Sequence, residues 1–303
     1  MDELLDPRLG QVRVFLVHDD NKPRKLKYNL GPEQTGRRVL AFGGAHSNLI
    51  RAVAEAGARH GAETIGVIRG EEHLPLNPTL ARAAARGMTL TYLDRSTYRR
   101  KHTEEVLASL RARWGSDVVI LPEGGSNAAA VRGCAELPAE IGHDFDVICC
   151  PVGTGGTLAG ISAGLPPGKR ALGFAVLKGA GFLEGEVARL QREAYGRTWD
   201  NWSIDLDHHF GGYARTTPAL DAFAARHGVE RIYVAKMLHG ILDLADRGAF
   251  APGTRVVAVV TGRPFPPIGE PALAPGRPFP PVAGDSALDP RRRVGRAHGL
   301  RLG

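Results

Sequence analysis

A chain of 303 residues, 43% of them hydrophobic, suits one large domain or two moderate ones and can bury a sizeable core. No apolar run reaches the roughly 18 residues of a membrane span, and the acidic start, Met1-Asp2-Glu3-Leu4-Leu5-Asp6, lacks the apolar stretch of a secretory signal. The formal charge of +7 is concentrated late: from Arg263 onward seven arginines face Glu270, Asp285 and Asp289, which leaves +3 for the rest. No aromatic residues interleave with the tail's basic cluster to stack on bases, so nucleic-acid binding is not expected. Cys134, Cys149 and Cys150 have no metal-ligand spacing and read as small hydrophobes of a reduced, cytoplasmic protein with no metal.

Strand-like and helix-like segments alternate along the chain, which argues for an α/β fold with a largely parallel sheet. An apolar run over 12–17 reads as a strand, followed by Asp19-Asp20-Asn21-Lys22-Pro23 and a short helix starting at Pro23, with Lys22 as its cap. Strands are expected over 38–42, 64–68, 89–93 and 118–122, with helices over 49–60, from Asn77-Pro78 to before Gly87, over 102–114, and from 127 into 141. A second series has strands over 145–150, 171–176, 202–206 and 254–260 and helices over 182–194, 218–227 and from about 236 to 248. Beyond Gly262 the pattern stops. Gly-Arg-Pro-Phe-Pro-Pro occurs at 262–267 and again at 276–281, and the Pro, Gly and Arg content over 263–303 reads as an irregular or disordered tail. The two copies are either a polyproline docking motif or compositional drift.

Three features carry chemistry. Lys22 stands at a strand-to-helix junction. There a lysine is either part of a basic, solvated helix start or a Schiff-base nucleophile whose pKa is lowered by desolvation or by Arg24, Lys25 and Lys27. Gly153-Thr154-Gly155-Gly156-Thr157 follows a strand and opens a helix, so its backbone amides and hydroxyls can cradle a phosphate. Leu158 stands where the dinucleotide fingerprint needs Gly or Ala, and Ile161 follows where a P-loop needs Lys. The cup therefore suits one terminal phosphate monoester, or is an ordinary tight turn. Gly43-Gly44-Ala45-His46-Ser47-Asn48 is a second glycine turn at a helix start, where His46 reads as a surface or capping residue more readily than as a general base.

Six motifs occur in order: Asn-Lys-x-Arg-Lys-Leu-x-Tyr (21–28), Gly-Gly-x-x-Ser-Asn (43–48), Pro-x-Gly-Gly-Ser-Asn (122–127), Gly-Thr-Gly-Gly-Thr (153–157), Phe-Gly-Gly-Tyr (210–213) and Tyr-x-x-Lys-Met-x-x-Gly (233–240). Over residues 12–262 the chain resembles the 1-aminocyclopropane-1-carboxylate deaminase / D-cysteine desulfhydrase family of pyridoxal-phosphate enzymes. The resemblance implies the tryptophan synthase β-like fold (fold type II), two open α/β domains with pyridoxal 5'-phosphate in the cleft between them. The larger domain would comprise 1–25 and 128–262, and the smaller one 26–127. Lys22 would be the Schiff-base lysine and proton carrier. Asn48 would meet the cofactor's ring hydroxyl, and Gly153, Thr154, Gly155, Gly156 and Thr157 would hold its phosphate. Ser47, Tyr213 and Tyr233 would contact substrate or assist proton transfer. A small amino acid would give a 2-oxo acid and ammonia, with sulfide from D-cysteine, in a homodimer without nucleic-acid or membrane partners.

The sequence departs from that pattern in three places. About eight residues that usually precede Asn-Lys are missing, which shortens the approach to Lys22 by up to about 25 Å of extended chain. Val234 stands where a Glu or Thr usually faces the ring nitrogen, leaving Thr261 as the nearby candidate. Gly262-Arg263 replaces the usual Gly-Gly, and the segment between Gly228 and Tyr233 is a few residues short. The missing Glu points toward a desulfhydrase-like activity rather than the cyclopropane deaminase. The alternative is a catalytically impaired homologue that folds and binds the cofactor without significant turnover.

Overall fold

The computed structural model describes residues 2–262; the tail over 263–303, with its repeated motif and Arg263, lies outside the described residues. Two sheets organise the chain. The first is built from β1 (Asp2–Leu4), β2 (Arg13–His18), β7 (Val147–Val152), β8 (Arg170–Ala175), β9 (Trp202–Asp205) and β10 (Arg255–Val260), in the order β1-β2-β10-β7-β8-β9. Every pair in it is parallel except β1 with β2. The second sheet is wholly parallel, with the order β5-β4-β3-β6: β3 (Arg38–Gly43), β4 (Glu63–Arg69), β5 (Thr89–Leu93) and β6 (Val119–Leu121).

Parallel strands need crossover connections, and these supply helices to both faces of each sheet. The central strands are accordingly apolar on both sides. In β10, Val257 and Val259 join the core under α8 (Gly156–Gly164) and α9 (Phe182–Tyr195), while Val256, Ala258 and Val260 join the one under α10 (Pro218–His227) and α11 (Val234–Asp246). Adjacent Cys149 and Cys150 likewise point to opposite faces, both free and buried, as small hydrophobes. The second sheet is covered on one face by α1 (Asn21–Lys27), α2 (Asn48–His60) and α3 (Pro78–Ala85), and on the other by α4 (Arg95–Arg99) and α5 (Glu104–Trp114). Among the described residues no helix is long and apolar enough to cross a membrane.

Three expectations need correction. Lys22 does not cap α1; it is the second helical residue, because Asp20 caps the helix by accepting the Lys22 amide at 3.3 Å. Pro23 is tolerated there because first-turn amides have no partner within the helix, so a missing N–H costs no bond. The helix expected over 102–114 is found as α5, and a separate short helix, α4, precedes it, capped by Asp94 through Ser96 and Thr97. The helix expected into Ile141 is two, α6 (Ala128–Cys134) and α7 (Leu137–Glu140), broken before Pro138. The first of the second-series strands runs over 147–152, not 145–150.

α1, α6 and α8 pack so closely that side chains are excluded at the crossings. A Cβ at Gly133 of α6 would collide with the carbonyl of Arg24 in α1, and one at Gly160 or Gly164 of α8 would collide with α6 and the residue that ends it, Ala135. Overpacking a closed helix crossing costs about 1–3 kcal/mol. Gly133→Ala should therefore lower the urea midpoint of unfolding with an unchanged slope. An unaltered midpoint would show that the crossing is looser than described.

Candidate active site

Ligands of parallel sheets bind beyond the carboxyl ends of the strands. In the first sheet the adjacent strands β2, β10 and β7 end at Asp19-Asp20, Thr261-Gly262 and Gly153. In the second, adjacent β3 and β6 end at the 43–48 and 122–127 turns. These ends meet. Arg51 of α2 lies 3.4 Å from Asp20, the Asn48 amide nitrogen lies 4.0 Å from where a Cβ on Gly262 would stand, and Gly124 abuts Thr154 so closely that a Cβ would collide with it.

The 153–157 loop forms an anion cup. Gly155 adopts φ 77°, which turns the chain into α8, and no side chain caps that helix. Its first-turn amides therefore face the loop with the positive end of the helix dipole behind them. The Thr154 hydroxyl is hydrogen-bonded to Ser126 at 2.7 Å, and the buried Thr157 hydroxyl accepts from Asn21 Nδ2 at 2.8 Å.

Both lysines of α1 that matter point here. Lys22 Nζ donates to Asn21 Oδ1 at 2.8 Å, so one amide side chain bridges Lys22 to Thr157. Burial pushes the Lys22 ammonium below its ordinary pKa against the pull of Asp20 and Cys134, and Arg51 pushes the same way as burial. The charges expected to do this do not: Arg24 is engaged by Asp19 at 2.7 Å and Glu140 at 2.6 Å, and Lys27 by Glu136 at 2.6 Å. The shortened segment before Asn21 still delivers Lys22 to the cup.

Lys25 is the residue that sequence reasoning missed as a ligand. It is 3% exposed, and its Nζ donates to Ser126 Oγ at 2.9 Å and the Gly124 carbonyl at 3.0 Å, beside Gly156. Burial first, and the charge of Lys22 second, lower its pKa to about 7. No carboxylate pairs with it among the described residues. A buried cation held at the positive end of a helix is unfavourable until an anion sits between them. Its place three residues after Lys22, on the next turn of α1, was the available signal.

Tyr233 caps the start of α11 and lies over Gly153, its ring 3.4 Å from where a Cβ would be. Tyr213 meets it edge-on, with ring centroids 5.9 Å apart. Burial chiefly, then Tyr213, raises the Tyr233 pKa far above the ordinary range, so its phenol keeps its proton. Ser47 caps α2 through the Ile50 amide, and Thr261 is buried at the end of β10. Val234 is fully buried, and the nearby Glu230 carboxylate is committed to the amides of Ile232, Tyr233 and Val234 at 2.6–2.8 Å.

The facing carboxyl ends of two parallel sheets, with Lys22 beside the 153–157 turn, are the architecture of a fold type II enzyme. The chain belongs to the family described as pyridoxal-phosphate dependent enzymes, whose pattern matches residues 21–262. It is 28% identical to a 1-aminocyclopropane-1-carboxylate deaminase of Burkholderia ambifaria over 88% of this chain and 89% of that one. It is 30% identical to a Pyrococcus furiosus protein provisionally given the same name, over 82% of this chain and 84% of that one. A crystal structure of a homologue of that deaminase superposes with a TM-score of 0.72 at 26% identity, over 84% of this chain and 85% of that one. The cofactor is pyridoxal 5'-phosphate. The residues present fit it: an uncapped helix start, two hydroxyls and a buried lysine without a counter-ion for the phosphate, and a desolvated amine beside them for the aldehyde.

The lowered pKa of Lys25 sets a pH dependence. In the cofactor-free protein Lys25 releases its proton near pH 7, whereas the unfolded lysine holds it to about 10.5. Between these values the unfolded chain binds more protons, so stability rises with pH. Urea midpoints measured from about pH 7 to about pH 10 should climb, and Lys25→Met should flatten much of the climb. Identical slopes in the two proteins would contradict the burial of that ammonium.

Proposed function

We propose that the protein is a pyridoxal-phosphate-dependent lyase that deaminates a small amino acid, with D-cysteine desulfhydrase-like activity. D-cysteine and water would give pyruvate, ammonia and sulfide. The observation that carries this reading is the joint placement of Lys22 and Lys25, one amine free to react and one cation spent on an anion, on successive turns of α1. The relatives' names make 1-aminocyclopropane-1-carboxylate a second substrate to test. The fully buried Val234, where the resembling family usually has Glu or Thr, favours the desulfhydrase-like chemistry.

In this reading the first sheet and its helices (1–25 and 128–262) form the large lobe and residues 26–127 the small one. Lys25, the 153–157 amides and the Thr154 and Thr157 hydroxyls hold the phosphate. Asn48 meets the ring hydroxyl and Thr261 the ring nitrogen. When bound, the cofactor would supply an aldehyde for the substrate amine and a ring that draws electrons from Cα. Lys22 Nζ, aimed by Asn21, would be the amine that holds the cofactor's aldehyde and the base that takes the substrate's Cα proton. Ser47, at the start of α2, binds the substrate carboxylate with the helix amides. Tyr233, with its phenol proton retained, and Tyr213 hold the substrate side chain and give a proton to the departing sulfur. The same reading makes the protein a cytoplasmic homodimer, which light scattering and cell fractionation test.

The second reading, a homologue that binds the cofactor without significant turnover, draws on the same Val234, because no side chain at 234 can hydrogen-bond the ring nitrogen. An absorbance titration decides between them. Cofactor added to the wild type should produce a visible band that Lys22→Ala lacks, and D-cysteine should then release sulfide and a 2-oxo acid. A band without product from D-cysteine or 1-aminocyclopropane-1-carboxylate supports the second reading; no band at all removes both. The phosphate assignment has its own test. Lys25→Met should weaken pyridoxal phosphate binding by about 30-fold or more, the scale of a lost buried charge partner, and leave binding of pyridoxal, which lacks phosphate, nearly unchanged.

A further inference from the structure

Lys236 is the most buried charged side chain in the first sheet's cores, with no exposed surface, and it lies outside the cup. Its Nζ donates to two backbone carbonyls, His209 at 2.9 Å and Gly212 at 2.8 Å. Neither is a charge, and no carboxylate is bonded to it among the described residues. For packing alone an apolar side chain of the same length would fill this space without the cost of desolvating an ammonium. What the ammonium adds is direction, since it fixes both carbonyls at once.

Those carbonyls belong to the loop that carries Tyr213, and that loop is strained. Phe210 and Ala214 have φ of 51° and 57°, values that side-chain-bearing residues rarely adopt, and Gly211 and Gly212 between them have φ of 86° and 115°. Gly212 is pressed against Lys178, whose backbone nitrogen lies 3.4 Å from where a Cβ would be. Such a run persists only where surrounding contacts hold it. The contacts come from one stripe of α11. Lys236 lies one turn after Tyr233, then Gly240, where a Cβ would stand 2.9 Å from the His208 ring, then Asp243, which holds His208 Nε2 at 3.0 Å. Asp205 holds the other nitrogen of His208 at 2.8 Å. The helix that starts at Tyr233 therefore binds the Tyr213 loop at its beginning and at its middle.

We propose that Lys236 is a positioning residue for the substrate site: its ammonium locks the 209–214 loop so that Tyr213 stands against Tyr233 at the cofactor cleft. This rests on the reading of Tyr213 as a substrate contact. The tyrosine is 46% exposed and meets Tyr233 in a T-shaped pair with ring centroids 5.9 Å apart, so burial of its own side chain does little to hold it. Lys236 never meets the substrate. Its effect passes through two carbonyls and the strained backbone.

The test uses cofactor-loaded Lys236→Met. Hydrogen exchange of the 210–214 amides should quicken by about tenfold or more, while amides in the middle of α11 stay protected. The apparent Kd for 1-aminocyclopropane-1-carboxylate, read from the visible spectrum, should rise by about tenfold to 100-fold. The Kd for pyridoxal phosphate should not move. If product is formed, KM should rise along with any fall in kcat, whereas a smaller folded fraction would lower kcat alone. Unchanged loop exchange overturns the proposal, and so does faster exchange with unchanged amino-acid affinity. Tyr213→Ala, run alongside, separates the two levels: if it leaves the amino-acid Kd intact, the substrate role of Tyr213 fails, whatever Lys236 does to the loop. Should Lys236→Met not fold, Lys236→Gln, which can reach one carbonyl, takes its place. Its loop exchange should fall between wild type and a free loop, and wild-type exchange with wild-type affinity overturns the proposal.

Discussion

The close crossing of α1, α6 and α8 is the constraint on which the site depends. α8 carries the cup, α1 carries the two lysines, and α6 lies between them. Glycine at 133 lets the backbone of α1 touch α6, and glycine at 160 and 164 lets α8 do the same. With side chains at these crossings the helices would stand apart, and hydrogen bonds such as Asn21 to Thr157 and Lys25 to Ser126 would not form. The spacing of helix axes thus sets the spacing between the Lys22 amine and the 153–157 turn.

Electrostatics then works on a geometry already fixed. The α1 helix carries four basic residues, Lys22, Arg24, Lys25 and Lys27, and they divide by direction. Arg24 and Lys27 face outward and are neutralised by Asp19, Glu140 and Glu136. Lys22 and Lys25 face inward, where burial lowers both pKa values. Burial disfavours the charged form of both amines, and among the described residues Lys25 is bonded to Ser126 and the Gly124 carbonyl rather than to a carboxylate. The same helix therefore provides an ion-paired face that fastens it to α7 and to Glu136 beside it, and a desolvated face turned toward the 153–157 turn.

The second side of the cleft is organised by α11. Glu230 gives its carboxylate to the first amides of this helix, so the helix begins at a defined place with Tyr233 over Gly153. From there one stripe of the helix holds the strained loop that brings Tyr213 in. The cup side is rigid through close backbone contact. The tyrosine side is rigid through a buried ammonium and an imidazole between two carboxylates, contacts that a change in a single side chain can loosen.

Much of this was legible in the sequence. The alternation of apolar runs with helical spacing determined an α/β fold with parallel strands, because only strands buried on both faces are apolar throughout. The glycine spacing at 153–157 determined a tight strand-to-helix turn, because glycine permits the positive φ at Gly155, while Leu158 and Ile161 exclude the larger nucleotide patterns. The ordered motifs named Lys22, Asn48, Tyr213 and Tyr233 as one candidate set through a family resemblance. The break within the helix expected from 127 into 141 was not legible, since the interruption before Pro138 competes with an unbroken helical pattern. The place of Lys22 within α1 was not legible either, because Asp20 rather than Lys22 takes the cap. Only tertiary structure decided which of four neighbouring basic residues face inward. It alone separated Lys25 from Lys27, and gave Lys236 two carbonyls twenty-odd residues away along the chain. The physical reason is the same in each case: residue type sets what a side chain can bond, but burial and the direction imposed by helix crossings set what it does bond.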